Sequence, residues 1–114
     1  MCLEVVANDV ASNMKAEEFK FDPMIILVII ELLAEVLPVI MDICNKDPED
    51  VIAMGKAPNR FEKAYTLLKA RKAARNMGYT WREAREVSVE VTDAMFSTAA
   101  NNTPEYIQSA YDAV

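Results

Sequence analysis

The chain has 114 residues, eighteen acidic and twelve basic side chains, a net charge of −6, two glycines, two cysteines and no histidine. That length makes one domain able to bury a core without disulfide or metal, and so little glycine, with abundant Ala, Glu, Lys and Met, favours helices over a turn-rich sheet. The lack of histidine removes the commonest general base, the usual partner of a nucleophilic Ser or Cys, and the commonest metal ligand; the expectation is a non-enzymatic protein with no cofactor.

Cys2 and Cys44 are too few and too far apart in sequence for a disulfide framework or a zinc pattern. They read as reduced thiols in a reducing interior. Residues 1–20 contain acids and lack a basic start followed by an apolar run, so no secretory signal is expected. The expected location is the cytoplasm, or a virion assembled there.

The predicted architecture is all-α: a single helical domain over 1–114, a small bundle of about five helices around a central, highly apolar helix at about 23–43. In chain order, Leu3, Val6, Ala7, Val10 and Met14 recur at helical spacing and predict a first amphipathic helix. Lys15 to Phe21 reads as a connection whose Phe19 and Phe21 pin that helix to the central one. Asp22 is a favourable N-cap and Pro23 suits the first helical position. From Met24 to Met41 the exceptions to apolarity are Glu31, Glu35, Pro38 and Asp42, spaced to form one acidic stripe. Everything outside the stripe is expected to be dry, with Ile29, Leu32, Leu33, Leu37 and Ile40 buried in a core or an interface between subunits. A bilayer is disfavoured: the run is just long enough at roughly 18 to 20 residues, but two central carboxylates cost about 2.5 kcal/mol or more each.

Asp47-Pro48-Glu49-Asp50 predicts a further helix stopped by Gly55, and Lys56-Ala57-Pro58 a linker. Asn59 with Glu62 opens a longer helix that ends at Gly78, a C-terminal left-handed glycine. Thr80 and Glu83 form a capping box, so a helix is predicted from Trp81 to about Thr98, with Tyr79 stapled onto Ala84. Val87, Val89 and Val91 alternate as in a strand, but the helical period fits a longer window. Thr103-Pro104-Glu105 starts a last helix burying Tyr106, Ile107, Ala110 and Tyr111.

Charge divides the chain. Residues 1–55 carry −8, 56–85 carry +7 and 86–114 carry −5. A basic middle between acidic ends suits an acidic partner: nucleic acid, another protein or a second copy of this chain. The residues placed to meet it are Lys63, Lys69, Arg71, Lys72, Arg75, Arg82 and Arg85; equally, they can form a solvated face that pairs with the acidic ends, where each pair adds little. Glu31 and Glu35 do not make a di-iron site, which also needs Glu-x-x-His pairs.

Three local resemblances add to this. Ala74, Met77, Gly78, Tyr79, Thr80, Ala84 and Val87, within residues 73–87, resemble a DNA-binding helix-turn-helix, which implies Thr80, Trp81, Arg82 and Arg85 at the start of a recognition helix and Lys69, Arg71, Lys72 and Arg75 near phosphates. Tyr79 at the corner and Trp81 at a groove-facing position depart from that pattern. The Met77-Gly78-Tyr79 turn with Glu83-Ala84 and Asn101-Asn102 is also similar to the ubiquitin-binding three-helix fold, whose second helix is far shorter than the one read here. Phe21 to Ile30, FDPMIILVII, resembles apolar openings of small tailed-phage proteins, which implies a virion or phage accessory component. The leading expectation is a helical structural or assembly protein that packs with itself or another protein. The alternatives are nucleic-acid binding through the segment 60–87 and membrane association through 23–43.

Overall fold

The computed structural model describes residues 3–44, 61–102 and 104–112, and within these the side chains of 41–44, 61–62, 104, 107 and 110–111 lie outside the description. Among the described residues all regular structure is helical: α1 (Leu3–Ser12), α2 (Glu17–Lys20), α3 (Pro23–Glu35), α4 (Leu37–Cys44), α5 (Phe61–Asn76), α6 (Trp81–Ala100) and α7 (Pro104–Asp112). The chain is thus a small all-α bundle. The expected helix at Asp47, the linker at Lys56, the Asn59 cap, the burial of Ile107, Ala110 and Tyr111, and the surroundings of Asp42, Cys2 and Cys44 fall outside the described residues.

Local chemistry sets the helix starts. Asp22 caps α3 by accepting the Met24 N–H at 2.9 Å, with Pro23 in the first turn. Thr80 and Glu83 form the reciprocal box: the Glu83 N–H donates to Thr80 Oγ1 at 3.2 Å and the Thr80 N–H to Glu83 Oε1 at 3.0 Å. The Thr80 backbone bond, then its side chain, hold the Glu83 carboxyl below the usual glutamate range. At the end of α5, Gly78 takes a φ of +101°, which a residue with a Cβ adopts only with strain. The Tyr79 N–H reaches Ala74 O and the Gly78 N–H reaches Arg75 O, both at 3.1 Å, so the last carbonyls of α5 are satisfied in a Schellman turn.

The central helix does not run unbroken to 43. It stops at Glu35, and Val36 adopts φ −110°, ψ 22° before α4 begins. Pro38 is the cause: it has no N–H to give the carbonyl four residues back, and its ring crowds that carbonyl. The ladder persists on either side, through Val36 N–H to Leu32 O and Ile40 N–H to Val36 O, both 3.0 Å. The result is a kink with Val36 fully buried.

α3 packs against α1 and α5, and α4 against α6, which also packs on α1 and α5. The centre is therefore shared. Ile25, Val28, Ile29, Leu32 and Leu33 of α3 are buried, and so are ten residues of α6, many of them small: Ala84, Ser88, Thr92, Ala94 and Ala99 among them. Val87 and Val91 are fully buried while Val89 is half exposed, the pattern of a helix and not of a strand. The buried residues of α5 include Thr66, Ala70, Ala73 and Ala74, also small. Lys63 in the first turn of α5 lies 3.8 Å from Asp93, far along α6, so the two helices run antiparallel side by side from the Gly78 corner outward.

On α6 the Thr92 hydroxyl is buried and has no hydrogen-bond partner. Thr92→Val keeps the shape and removes the unmet polar group, so it is expected to raise stability by about 1 kcal/mol. Urea denaturation checks it: an unchanged or lower midpoint would mean that the hydroxyl is satisfied.

The N-terminal elements are tied on by side chains. Glu90 Oε2 accepts the Lys15 and Ala16 N–H groups at 3.0 and 3.1 Å, Asn13 donates to Thr98 Oγ1 at 2.7 Å, and the Tyr106 hydroxyl donates to Asp9 at 3.0 Å. Phe19 is buried with its ring edge-on to Tyr79, 6.3 Å between centroids. Phe21, expected to pin alongside it, stands 74% exposed.

Candidate functional site

The residues expected at a core or subunit interface separate clearly. Ile29, Leu32, Leu33 and Ile40 are at most 1% exposed, inside the chain's own core, and Leu37 is partly buried against it. They offer no surface to a partner. The expectation that α3 is dry outside its acidic stripe does not hold: Met24 is 36% and Leu27 47% exposed, and Ala34, Glu35 and Pro38 are exposed with them. At about 100° per residue Met24, Leu27, Ala34 and Glu35 share one arc of α3 about 100° wide, so the outward stripe is apolar toward its N-terminus and acidic toward its C-terminus.

α5 borders that stripe. The Tyr79 hydroxyl donates to Asp22 Oδ2 at 2.7 Å, and Asn76 Nδ2 donates to Glu31 Oε1 at 3.2 Å. These two links set α3 and α5 side by side and antiparallel. Glu31 is partly buried and its Oε2 has no partner, whereas Glu35 is exposed. Asp42, the third member of the expected stripe, is on α4 with its side chain outside the description.

The seven expected cationic residues do not gather into one patch. Lys63 is directed to Asp93. Lys69 lies over the Tyr65 ring at 5.6 Å, and Arg71 is partly buried with an Nε lacking a hydrogen bond. Lys72 is exposed. Arg75 donates to Tyr79 O at 2.7 Å and stacks over Trp81 at 4.6 Å, so it braces the corner. Together Lys69, Lys72, Arg75 and Arg71 fan across about 160° of α5. Arg82 and Arg85 are exposed on α6 among Glu83, Glu86 and Glu90, which dilutes their field. The antiparallel α5–α6 hairpin also differs from a helix-turn-helix, whose helices meet at about 90–120°.

Of the seven large apolar side chains exposed among the described residues, Phe21, Met24, Leu27, Leu68 and Trp81 lie on α3, α5 or the corners joining them to their neighbours; Val5 and Val89 lie elsewhere. Leu27 and Leu68 are not distinguishable in sequence from the apolar residues that form the core. Val89 lines a shallow groove of about 510 Å³ with Ala16, Phe19, Glu18, Arg85, Glu86 and Glu90, but Glu90 is already committed to the Lys15 and Ala16 amides. Among the described residues no group of three Cys, Asp or Glu side chains is placed to hold a metal, and no helix is long and apolar enough to cross a membrane.

Tyr79 joins the face to the core. Burial first, then the bond to Asp22 and its charge, raise the Tyr79 hydroxyl above the ordinary tyrosine range. A raised folded pKa favours the fold below the unfolded value of about 10, and that contribution is lost as pH rises past it. Tyr79→Phe is expected to lower stability at neutral pH by about 1.5–3 kcal/mol, as for a bond to a charged group, and to flatten the alkaline decline. Melts at pH 7 and above pH 10, matched to the wild type, test both; an identical alkaline slope would assign the decline to other groups.

No family model, curated protein or solved structure matches the chain.

Proposed function

We propose that the protein is a non-enzymatic helical assembly protein that acts by docking the outward face of α3 and α5 onto another protein subunit. The observation that carries this reading is that five of the seven exposed large apolar side chains among the described residues, Phe21, Met24, Leu27, Leu68 and Trp81, lie on α3, on α5 or at the corners next to them. Isolated exposed apolar residues need no explanation, but a contiguous group rimmed by charge is what an interaction surface requires. The rim is present: Glu31 and Glu35 on α3, Lys72 and Arg75 on α5. The likeness of FDPMIILVII to phage proteins supports a place in a virion or as a phage accessory component, and its Phe21, Met24 and Leu27 are exposed.

The competing reading, nucleic acid on residues 60–87, has the exposed Lys72, Arg75, Trp81 and Arg82 in its favour, against the spread of cations around α5 and the acids interleaved on α6. Salt separates the two, since release of counterions makes phosphate binding fall steeply with ionic strength. Leu27→Glu tests the assembly reading directly. Cross-linking in the native source is expected to trap the wild type in a complex larger than one chain and to leave the variant, folded by circular dichroism, as a monomer. A wild type that is monomeric there would overturn it.

A further inference from the structure

We propose that the partner on this face is a second copy of the same chain, related by a two-fold axis parallel to α3 and α5, so that α3 of each copy lies on α5 of the other. This rests on the assembly reading and names its occupant. The register of the two helices carries it. Asp22 meets Tyr79 and Glu31 meets Asn76 within one chain, so α3 leaves the corner at which α5 ends and the two lie side by side with opposite chain direction. One turn further along α3 is Glu35, and one turn back along α5 is Lys72. With equal rise per residue they come level, and both are exposed. Neither has an ion-pair partner among the described residues.

The heights therefore carry matching patterns of opposite sign. On α3 the order from the corner is Met24 and Leu27, then Glu31, then Glu35; on α5 and its corner it is Trp81, then Arg75, then Lys72, with Leu68 one turn beyond. A two-fold axis parallel to the helices keeps every residue at its own height while exchanging α3 for α5. Glu35 then faces the partner's Lys72, Glu31 faces the level of the partner's Arg75, and Met24 and Leu27 face the partner's Trp81, each contact occurring twice as an isologous interface demands. An axis perpendicular to the helices and lying in the interface would instead stack α3 on α3 and α5 on α5 with heights reversed, setting Glu35 against the apolar Met24 end of the partner's α3 and giving neither Glu35 nor Lys72 an opposite charge. Two helices about 10 Å wide and roughly 17 Å of shared length give a footprint of about 340 Å² per copy, smaller than a standard interface, so the dimer is a weak, transient one that forms toward the upper micromolar range.

Sedimentation velocity on the purified full chain tests this with E35K and K72E, both at exposed positions and both checked for an unchanged fold by circular dichroism. The wild type is expected to pass from monomer to dimer across the micromolar range, and each single variant to self-associate about tenfold more weakly, because two rim attractions become repulsions. An equimolar mixture of the two variants is expected to regain dimers. In the mixed dimer the lysine introduced by E35K meets the glutamate introduced by K72E at one contact, and the unaltered Lys72 and Glu35 meet at the other. A purely intrachain effect cannot produce that rescue. A wild type monomeric to hundred-micromolar concentration, or a mixture no more associated than its components, overturns the homodimer. If it is overturned while Leu27→Glu still dissolves the cross-linked complex in the native source, the assembly reading stands with a different subunit; if neither variant changes anything, both fall.

Discussion

Leu33→Asp is expected to abolish the cooperative fold. Leu33 is 1% exposed on α3, flanked on the same helix by the fully buried Ile29 and Leu32, and α3 packs on α1, α5 and α4. A carboxylate placed in that apolar interior either stays charged at a cost of several kcal/mol or takes up a proton and still leaves a polar group among hydrocarbon side chains. A domain of this size has about 5–15 kcal/mol in total. The milder Leu33→Ala is expected to cost about 2–5 kcal/mol, transfer and cavity together. Thermal unfolding followed by circular dichroism should show no transition for the aspartate variant and a lowered one for alanine. A wild-type melt in either would mean that α3 is not at the centre of the bundle.

Ala70→Leu should produce the second largest loss, for the opposite reason. α5 packs on both α6 and α3, the buried side chains it brings are small, Thr66, Ala70, Ala73 and Ala74, and Ala70 is fully buried. A leucine needs room that two closely packed helices lack, and opening them costs about 1–3 kcal/mol. Helix propensity barely changes between these residues, so the loss reports packing. Leu68→Ala, at a 64% exposed position two residues away, is the control and is expected to change stability by less than about 0.5 kcal/mol. Urea midpoints decide it: equal losses at 68 and 70 would contradict the assignment of the α5 face.

The parts legible in sequence were those settled within three or four residues. Asp22-Pro23, Thr80 with Glu83, and Gly78 each satisfy a helix end with groups that are neighbours in the chain, so no knowledge of the fold was needed to place them. Pro38 was equally visible, yet the unbroken apolar run around it hid the kink at Val36, because hydropathy records burial and not hydrogen-bond continuity. The share of α6 in the centre was hidden in the reverse way. Ser88 and Thr92 are fully buried though neither is conspicuously apolar, and their burial follows from α6 being packed by α1, α4 and α5 together, a property of the assembled helices.

The face itself was half legible. Glu31, Glu35, Lys72 and Arg75 stand out by charge, but a charge count along the chain says nothing about angle around a helix, and it merged cations that point in different directions: Lys63 toward Asp93, Arg75 into the corner, Lys72 outward. Leu27 was misplaced because its sequence neighbours are all core-like. α1 and α5 both pack on α3, and Leu27 is left 47% exposed, which depends on the angle around the helix and not on hydropathy.

Trp81 supplies the most direct measurement. It is the chain's one tryptophan, it is 64% exposed at the corner of the α3–α5 face, and in the proposed dimer it is covered by the partner's Met24 and Leu27. Its emission and its quenching by acrylamide, followed from nanomolar to hundred-micromolar protein, should shift to shorter wavelength and fall in quenching constant together across the micromolar range, with the E35K variant lagging to higher concentration. A spectrum and a quenching constant that stay those of an exposed indole at every concentration would contradict the account.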